Sequence, residues 1–297
     1  MSKASYDPPS LTGNPTLALV PPGSCQFTDE FKPVPLLERV RVSPTSSVLR
    51  FGLPDKSLPL NLSTCACILA RAKLPYDAKK DSSKTDKGKD GELEDVIRPY
   101  TPISTNELKG CFDLLIKDYG EDGRMSRYMC HDMNVGDEID FKHIEFNVKI
   151  QAPFKQKTIC MLVGGTGITP MIQALHAILG DNDASSNVVM LYGNKSSNDI
   201  LGKSMIDSWA KQFGDQFKVH HVLSNEPEDS DWKGKRGFIT RELIEENVPG
   251  PEAGDDLIFF ICGPPPMYNA LSGPRGEVEI SGLLKEMGYK KEQVYKF

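Results

Sequence analysis

TICMLVGGTGITPMIQALHAIL, residues 158–179, changes period half-way along. Ile159–Val163 is an unbroken apolar run closed by glycines, the pattern of a strand buried on both faces. From Ile168 the apolar residues recur at helical spacing as far as Leu179. Gly164, Gly165 and Gly167 stand where the strand hands over to the helix. The segment predicts a strand, a tight turn and a helix. Downstream, NVVMLYG (187–193) reads as a second strand and 199–213 as a second helix. FKVHHVLS (217–224) and DLIFFICG (256–263) then supply two more strands of the buried type. Strands alternating with helices predict a doubly wound parallel α/β domain over about 156–297.

Upstream of residue 153 the pattern is different. VRVSPTSSVLRF (40–51) alternates with period two, and short β-prone runs continue to Ile150 with turns such as 134–137 between them. The expectation is an antiparallel β-barrel or sandwich over 36–152. Within it, residues 77–96 (DAKKDSSKTDKGKDGELEDV) are nearly all charged or small and read as a solvated insertion between two strands. Residues 1–35, rich in Pro, Ser and Gly, read as a flexible arm. The fold class is thus two domains, β followed by α/β, in line with a length of 297 residues.

Composition narrows the function classes. With 39% hydrophobic and 26% charged residues the chain reads as a water-soluble globular protein, without a membrane span, a signal peptide or a cationic leader. Thirty-five basic residues against 41 acidic ones give a net charge of -6, which argues against nucleic acid as a partner. Seven scattered cysteines without a C-x-x-C pair fit neither a disulfide framework nor a zinc or iron–sulfur site and point to a reducing, cytoplasmic setting. The five histidines show no metal-ligand spacing. No metal is expected.

Four segments carry chemistry. GGTGITPM (164–171) lets backbone approach a ligand at a helix N-terminus that favours negative charge, as a dinucleotide site needs; the same glycines would also serve a mere tight connection. CGPPPM (262–267) follows another buried strand, so both loops fall at strand C-terminal ends, where open α/β sheets bind ligands. RPYTPIS (98–104) joins a fixed cation, an aromatic ring and two φ-locking prolines, suited to a phosphate and a stacked ring, or to an ordinary surface pair. GRMSRYM (123–129) reads as a loop entering a helix, with Ser126 and free amides for a pyrophosphate, or as a capped helix start.

In this order the four segments resemble the NADH-cytochrome b5 reductase branch of the ferredoxin reductase-like flavoproteins, over about 36–297. The resemblance implies an N-terminal antiparallel six-stranded barrel holding FAD and a C-terminal α/β domain holding the pyridine nucleotide. It implies that Arg98, Pro99, Tyr100 and Thr101 hold the flavin and its phosphates, with Leu115 and Lys117 lining it. Arg124, Met125 and Ser126 match the pyrophosphate segment, and Thr169 matches a threonine reaching the flavin. Gly165, Thr166, Gly167, Cys262, Gly263, Pro264, Pro265 and Met267 match the nicotinamide walls. Thr101 and Cys262 are the side chains it places at the reacting centre.

Four departures accompany the match. FKHIEFNVKIQAPF (141–154) replaces a G-P-x-G turn between the domains, LNLSTCACILA (60–70) replaces a Gly-Gln-His strand entry, and the charged insertion is longer than the usual hairpin. Ser224 stands where an Asp commonly pairs with the adenosine ribose; serine lacks the carboxylate that repels a 2′-phosphate, so NADPH is expected to be tolerated beside NADH. Lys233, Lys235 and Arg236 follow closely enough to fold back over that end. The implied function is hydride transfer from NADH to FAD and release of single electrons to a separate haem acceptor such as cytochrome b5, by a monomer in the cytoplasm or peripheral at an intracellular membrane. Hydride transfer needs no general base, so no histidine is assigned to catalysis. The alternatives are a reductase component of another electron-transfer chain or oxygenase system, and a redox-inert binding module.

Overall fold

A computed structural model describes residues 8–76 and 92–297. They form two compact units, one over Val20–Asn147, the other over Val148–Phe297 together with the stretch ending at Leu19.

The first unit is a six-stranded antiparallel sheet in the order β4-β3-β6-β1-β2-β5. Its strands are β1 (Lys32–Ser43), β2 (Ser46–Gly52), β3 (Ile68–Pro75), β4 (Leu93–Tyr100), β5 (Cys111–Lys117) and β6 (Glu138–His143). Period-two alternation turns Ile68, Ala70, Ala72 and Leu74 of β3, and Ile139 and Phe141 of β6, into the core. Strand β1 serves two neighbours, pairing Lys32–Pro35 with β6 and Leu36–Ser43 with β2, and its register shifts between Leu36 and Glu38. A bulge of this kind bends a strand and lets a sheet curl. Inside lie Phe27, Phe51, Phe112 and Phe141, whose rings sit 5.1–5.9 Å apart. Beyond the edge strand β4, the Ile103 amide donates to the Asp113 carbonyl of β5, 2.9 Å, so the chain after β4 reaches the opposite edge. A single helical turn, α1 (Met125–Arg127), runs on into a wider turn over Tyr128–Asp132.

The second unit is a six-stranded parallel sheet in the order β10-β9-β8-β7-β11-β12. β7 (Thr158–Gly164) leads into α2 (Ile168–Leu179), β8 (Asn187–Asn194) into α3 (Lys203–Gln212), and β9 (Phe217–Leu223) into the short β10 (Lys235–Arg236) and α4 (Arg241–Asn247). β11 (Leu257–Cys262) leads into α5 (Pro265–Leu271) and α6 (Gly282–Glu286), and β12 (Val294–Lys296) closes the sheet. Leu162, Leu191, Phe259 and Ile261 are fully buried, as strands covered on both faces require. The predicted helix over 199–213 begins at Lys203, because Gly202 is left-handed (φ 66°) and Ser197–Asp199 forms a separate capped turn.

Two expectations are corrected. The charged insertion was expected to run to Val96, yet Leu93–Val96 pair with Pro75–Ala72 in the β3–β4 ladder; alternation of Val96 inward outweighs the acidic neighbours, and residues 77–91 lie outside the described residues. Of the expected arm, the stretch from residue 8 packs. Leu11 and Phe27 are buried, the Trp209 indole donates to the Gly13 carbonyl (2.9 Å), and the Thr16 amide donates to His176 Nδ1 (3.0 Å). Proline and glycine set the local composition there, but a few apolar anchors decide where the chain lies.

Candidate functional site

In the second unit the two glycine loops meet. Gly164 ends β7 and Cys262 ends β11, whose last residues pair side by side, Val163 with Cys262. A Cβ on Gly167 would overlap the Cys262 carbonyl, and one on Gly164 or Gly263 would strike the Met267 sulfur. Bare backbone therefore lets both loops share one floor. Gly165, at φ 53°, has open space where its Cβ would be. Thr166 is half-buried beside it, Thr169 is buried in the first turn of α2, and no side chain caps that turn, whose amides can face an anion. Tyr192, buried on β8, reaches the Gly165 carbonyl at 3.2 Å and the Leu201 carbonyl at 3.3 Å, pinning the loop from beneath.

On the β11 side Pro264 is extended, and Pro265 opens α5, where a missing amide hydrogen costs nothing. Pro264 and Pro265 are exposed and Met267 is half-buried. The Tyr268 hydroxyl reaches the Phe297 carbonyl at 2.6 Å, tying α5 to the chain end. Burial pushes the Cys262 thiol up to about 11, against the opposing Tyr268 hydroxyl and Arg275. At neutral pH the side chain is a thiol, not a thiolate nucleophile.

Further along the same sheet edge, the segment after β9 is zipped to the segment after β8. The Ser224 amide donates to the Asn194 carbonyl (3.0 Å) and the Asn225 amide to the Lys195 carbonyl (2.8 Å), with Ser224 Oγ 3.4 Å from the Asn194 carbonyl. Of the three basic residues expected nearby, Arg236 pairs with Leu223 in the β9–β10 ladder, Lys235 stands 3.5 Å from Glu246, and Lys233 is exposed. Phe238, 78% exposed, follows Gly237, whose amide donates to the Leu223 carbonyl.

In the first unit Arg98 and Tyr100 lie two apart on β4 and so share a face. Arg98 is exposed, and its guanidinium donates to the Ile97 carbonyl at 2.7 Å, leaving donors for an anion. Burial raises the Tyr100 hydroxyl well above the usual phenol range, so it stays neutral. Pro99 is exposed and Thr101 half-buried, just past the strand. What fixes this segment is Asp113: its carbonyl accepts from Ile103, its amide donates to Ser104 Oγ (3.0 Å), and its fully buried carboxylate takes two bonds from Arg50 at 2.8 and 2.9 Å. Leu115 is buried two residues on, and Lys117 is half-buried at the end of β5.

In the segment matched to the pyrophosphate, Arg124 has partners within the protein. Arg124 bonds the Glu94 carboxylate and the Pro75 carbonyl, the latter at 2.6 Å, and its side chain is 11% exposed. It fastens the turn to the β3–β4 end. A Cβ on Gly123 would meet Ser126 Oγ, which would have to turn away, and Met125 and Ser126 are buried. Sequence reasoning passed over Asp113, Tyr192 and Tyr268, because each acts through bonds to residues outside its own motif that no local spacing announces.

Two families cover most of the chain: the oxidoreductase FAD-binding domain matches residues 33–146, and the oxidoreductase NAD-binding domain matches residues 161–272. The NADH-cytochrome b5 reductase 2 of Neurospora crassa is 38% identical over 266 residues, which are 88% of this chain and 71% of the relative. That of Yarrowia lipolytica is 37% identical over 273 residues, 91% of this chain and 86% of the relative. The chain belongs to the NADH-cytochrome b5 reductase family. Among solved structures, the cytochrome b5 reductase domain of Ulva prolifera nitrate reductase superposes on the reductase with a TM-score of 0.74 at 28% identity, covering 92% of this chain and all of that one. The CS-b5R domains of human Ncb5or share the fold, with a TM-score of 0.66 at 23% identity over 90% of this chain and 69% of that one. The reductase is an FAD-dependent oxidoreductase with a nucleotide-binding α/β unit. Its residues fit both groups: Gly165 leaves open space beside the start of α2, whose first amides no side chain caps, and Arg98 presents an open cation to a phosphate. Among the described residues no helix is long and apolar enough to cross a membrane.

Proposed function

We propose that this reductase takes electrons from NADH, with NADPH tolerated, and delivers them singly to cytochrome b5 or a similar haem protein. The observation that carries this reading is the shared glycine floor of the 164–167 and 262–263 loops, which brings bare backbone to the C-terminal ends of the strands, where open α/β sheets bind ligands. FAD, when bound, supplies the conversion of a two-electron hydride into one-electron steps. The chain's own residues bind and orient. Arg98, Pro99, Tyr100 and Thr101, with Leu115 and Lys117, hold the flavin; Met125 and Ser126 offer the pyrophosphate a turn that Arg124 braces from behind.

On the nucleotide side, Gly165, Thr166, Gly167, Gly263, Pro264, Pro265 and Met267 wall the nicotinamide, and the Cys262 thiol, uncharged, leaves no competing nucleophile there. Thr101 and Cys262 carry the reacting-centre roles the resemblance implies, and Thr169 is the threonine that reaches the flavin. Ser224 takes the ribose of the adenosine and Phe238 offers its ring to the adenine. The protein works as a monomer in the cytoplasm, a setting that seven scattered cysteines without a C-x-x-C pair support. Steady-state rates with purified cytochrome b5, ferricyanide and quinones test the acceptor. A haem rate no higher than the quinone rates contradicts the reading.

A further inference from the structure

We propose that Glu226 sets the choice between NADH and NADPH in this chain, as a fixed carboxylate opposing a 2′-phosphate and compensating the Arg236 cation that would otherwise receive one. This rests on the reading that the adenosine end lies over Ser224.

Ser224 carries no charge of its own, so whatever discrimination against a 2′-phosphate this chain exerts comes from neighbours. The zip between the β8 and β9 ends supplies one. After the Ser224–Asn194 and Asn225–Lys195 bonds, the next contact is made by a side chain: the Ser197 amide donates to Glu226 Oε2 at 2.6 Å and Ser197 Oγ lies 3.0 Å from Oε1. Both carboxylate oxygens are thus held by one residue, two positions from Ser224. The Ser197 amide, aided by the Ser230 hydroxyl and the Arg236 charge, keeps this carboxyl below its usual range. It is ionised at neutral pH.

The cation is Arg236. Arg236 is next to Ser224 through its pairing with Leu223, and its guanidinium bonds Ser230 Oγ (3.2 Å) and the Trp232 carbonyl (3.4 Å). Ser230 is therefore the common neighbour of the acid and the base. Alone, Arg236 would welcome a phosphate; beside Glu226 its charge is already answered. With its oxygens taken by Ser197, Glu226 acts through charge rather than by bonding the ribose, so its effect should fade in salt.

Isothermal titration of the FAD-loaded protein with NAD+ and NADP+ at low and high salt reads this without turnover. Glu226→Gln keeps an acceptor for Ser197 and should lower Kd(NADP+)/Kd(NAD+) by about tenfold at low salt and by less at high salt. Arg236→Gln should raise the ratio. The same directions are expected in the ratio of kcat/KM values. If Glu226→Gln leaves the ratio within about twofold of the parent while Ser224→Asp raises it, Glu226 has no such role although the adenosine placement stands. If Ser224→Asp also changes nothing, the placement itself is wrong and the proposal goes with it.

Discussion

Gly167 lies against the carbonyl of Cys262 so closely that no Cβ fits between them. The ends of β7 and β11 are neighbours in the sheet, and the loops that leave them share that contact. Gly167→Ala must push the Cys262–Gly263 backbone away. Flavin reduction by NADH in stopped flow should slow by at least about tenfold, because a misplacement of about 1 Å at a hydride-transfer site carries a cost of that order or more. FAD content should be unchanged, since no atom of the first unit is altered. An unchanged reduction rate would show that the shared floor is not where the nicotinamide rests.

Arg98→Ala should lose FAD and stability together. An exposed guanidinium whose bond is to its own neighbour's carbonyl contributes little to the fold by itself. Bound to phosphate it makes charge-assisted bonds, and the loaded protein is stabilised by mass action, about 3 kcal/mol when ligand stands at a hundred times its Kd. Purified variant with full flavin and an unchanged Tm would remove Arg98 from the site.

The Arg50–Asp113 pair makes a different prediction. Asp113→Ala leaves a largely covered guanidinium without its partner, Glu38 being 3.6 Å away at the rim, and should destabilise the first unit by about 3 kcal/mol in urea unfolding. Replacing both members, Arg50→Met with Asp113→Leu, should recover most of that loss. Failure of the double variant to recover would mean that the pair positions the 101–104 segment rather than merely neutralising itself.

His176 gives a pH dependence of definite sign. Burial lowers its imidazole from 6.5 to about 4, and Nδ1 must stay unprotonated to accept the Thr16 amide. The unfolded chain then binds a proton that the folded one refuses, so stability is full above about pH 6.5 and falls as pH drops towards 4. The loss is roughly 3 kcal/mol at 1.36 kcal/mol per pKa unit. Chemical unfolding between about pH 7.5 and 4.5 should show this extra loss in the parent and not in His176→Gln. Parallel profiles would contradict it.

How much of this was legible beforehand depends on the range of the interaction. The β7–turn–α2 unit was readable because apolar period and glycine position are local properties of residues 158–179, and the same holds for β8, β9 and β11. RPYTPIS was readable as a motif, but Asp113, which holds it, lies nine residues past Ser104 and is fixed by Arg50, 63 residues earlier. The resemblance puts Arg124 in the pyrophosphate segment, and its partners within the protein, Glu94 and Pro75, come from distant strands that the motif does not announce. The docking of residues 8–19 was hidden for the same reason: composition describes what a segment prefers alone, and Leu11, Gly13 and Thr16 are placed by Trp209 and His176.

The central claim is that electrons pass from NADH through the flavin to a haem protein one at a time. An anaerobic titration measures it: the purified protein is reduced with one equivalent of NADH, then mixed with oxidised cytochrome b5 while the flavin and haem spectra are followed together. The account predicts that the flavin bleaches on NADH and recovers as haem is reduced, with about two haems reduced per NADH because a hydride carries two electrons. A flavin that stays oxidised in excess NADH, or one that bleaches and then leaves the haem oxidised, would contradict it.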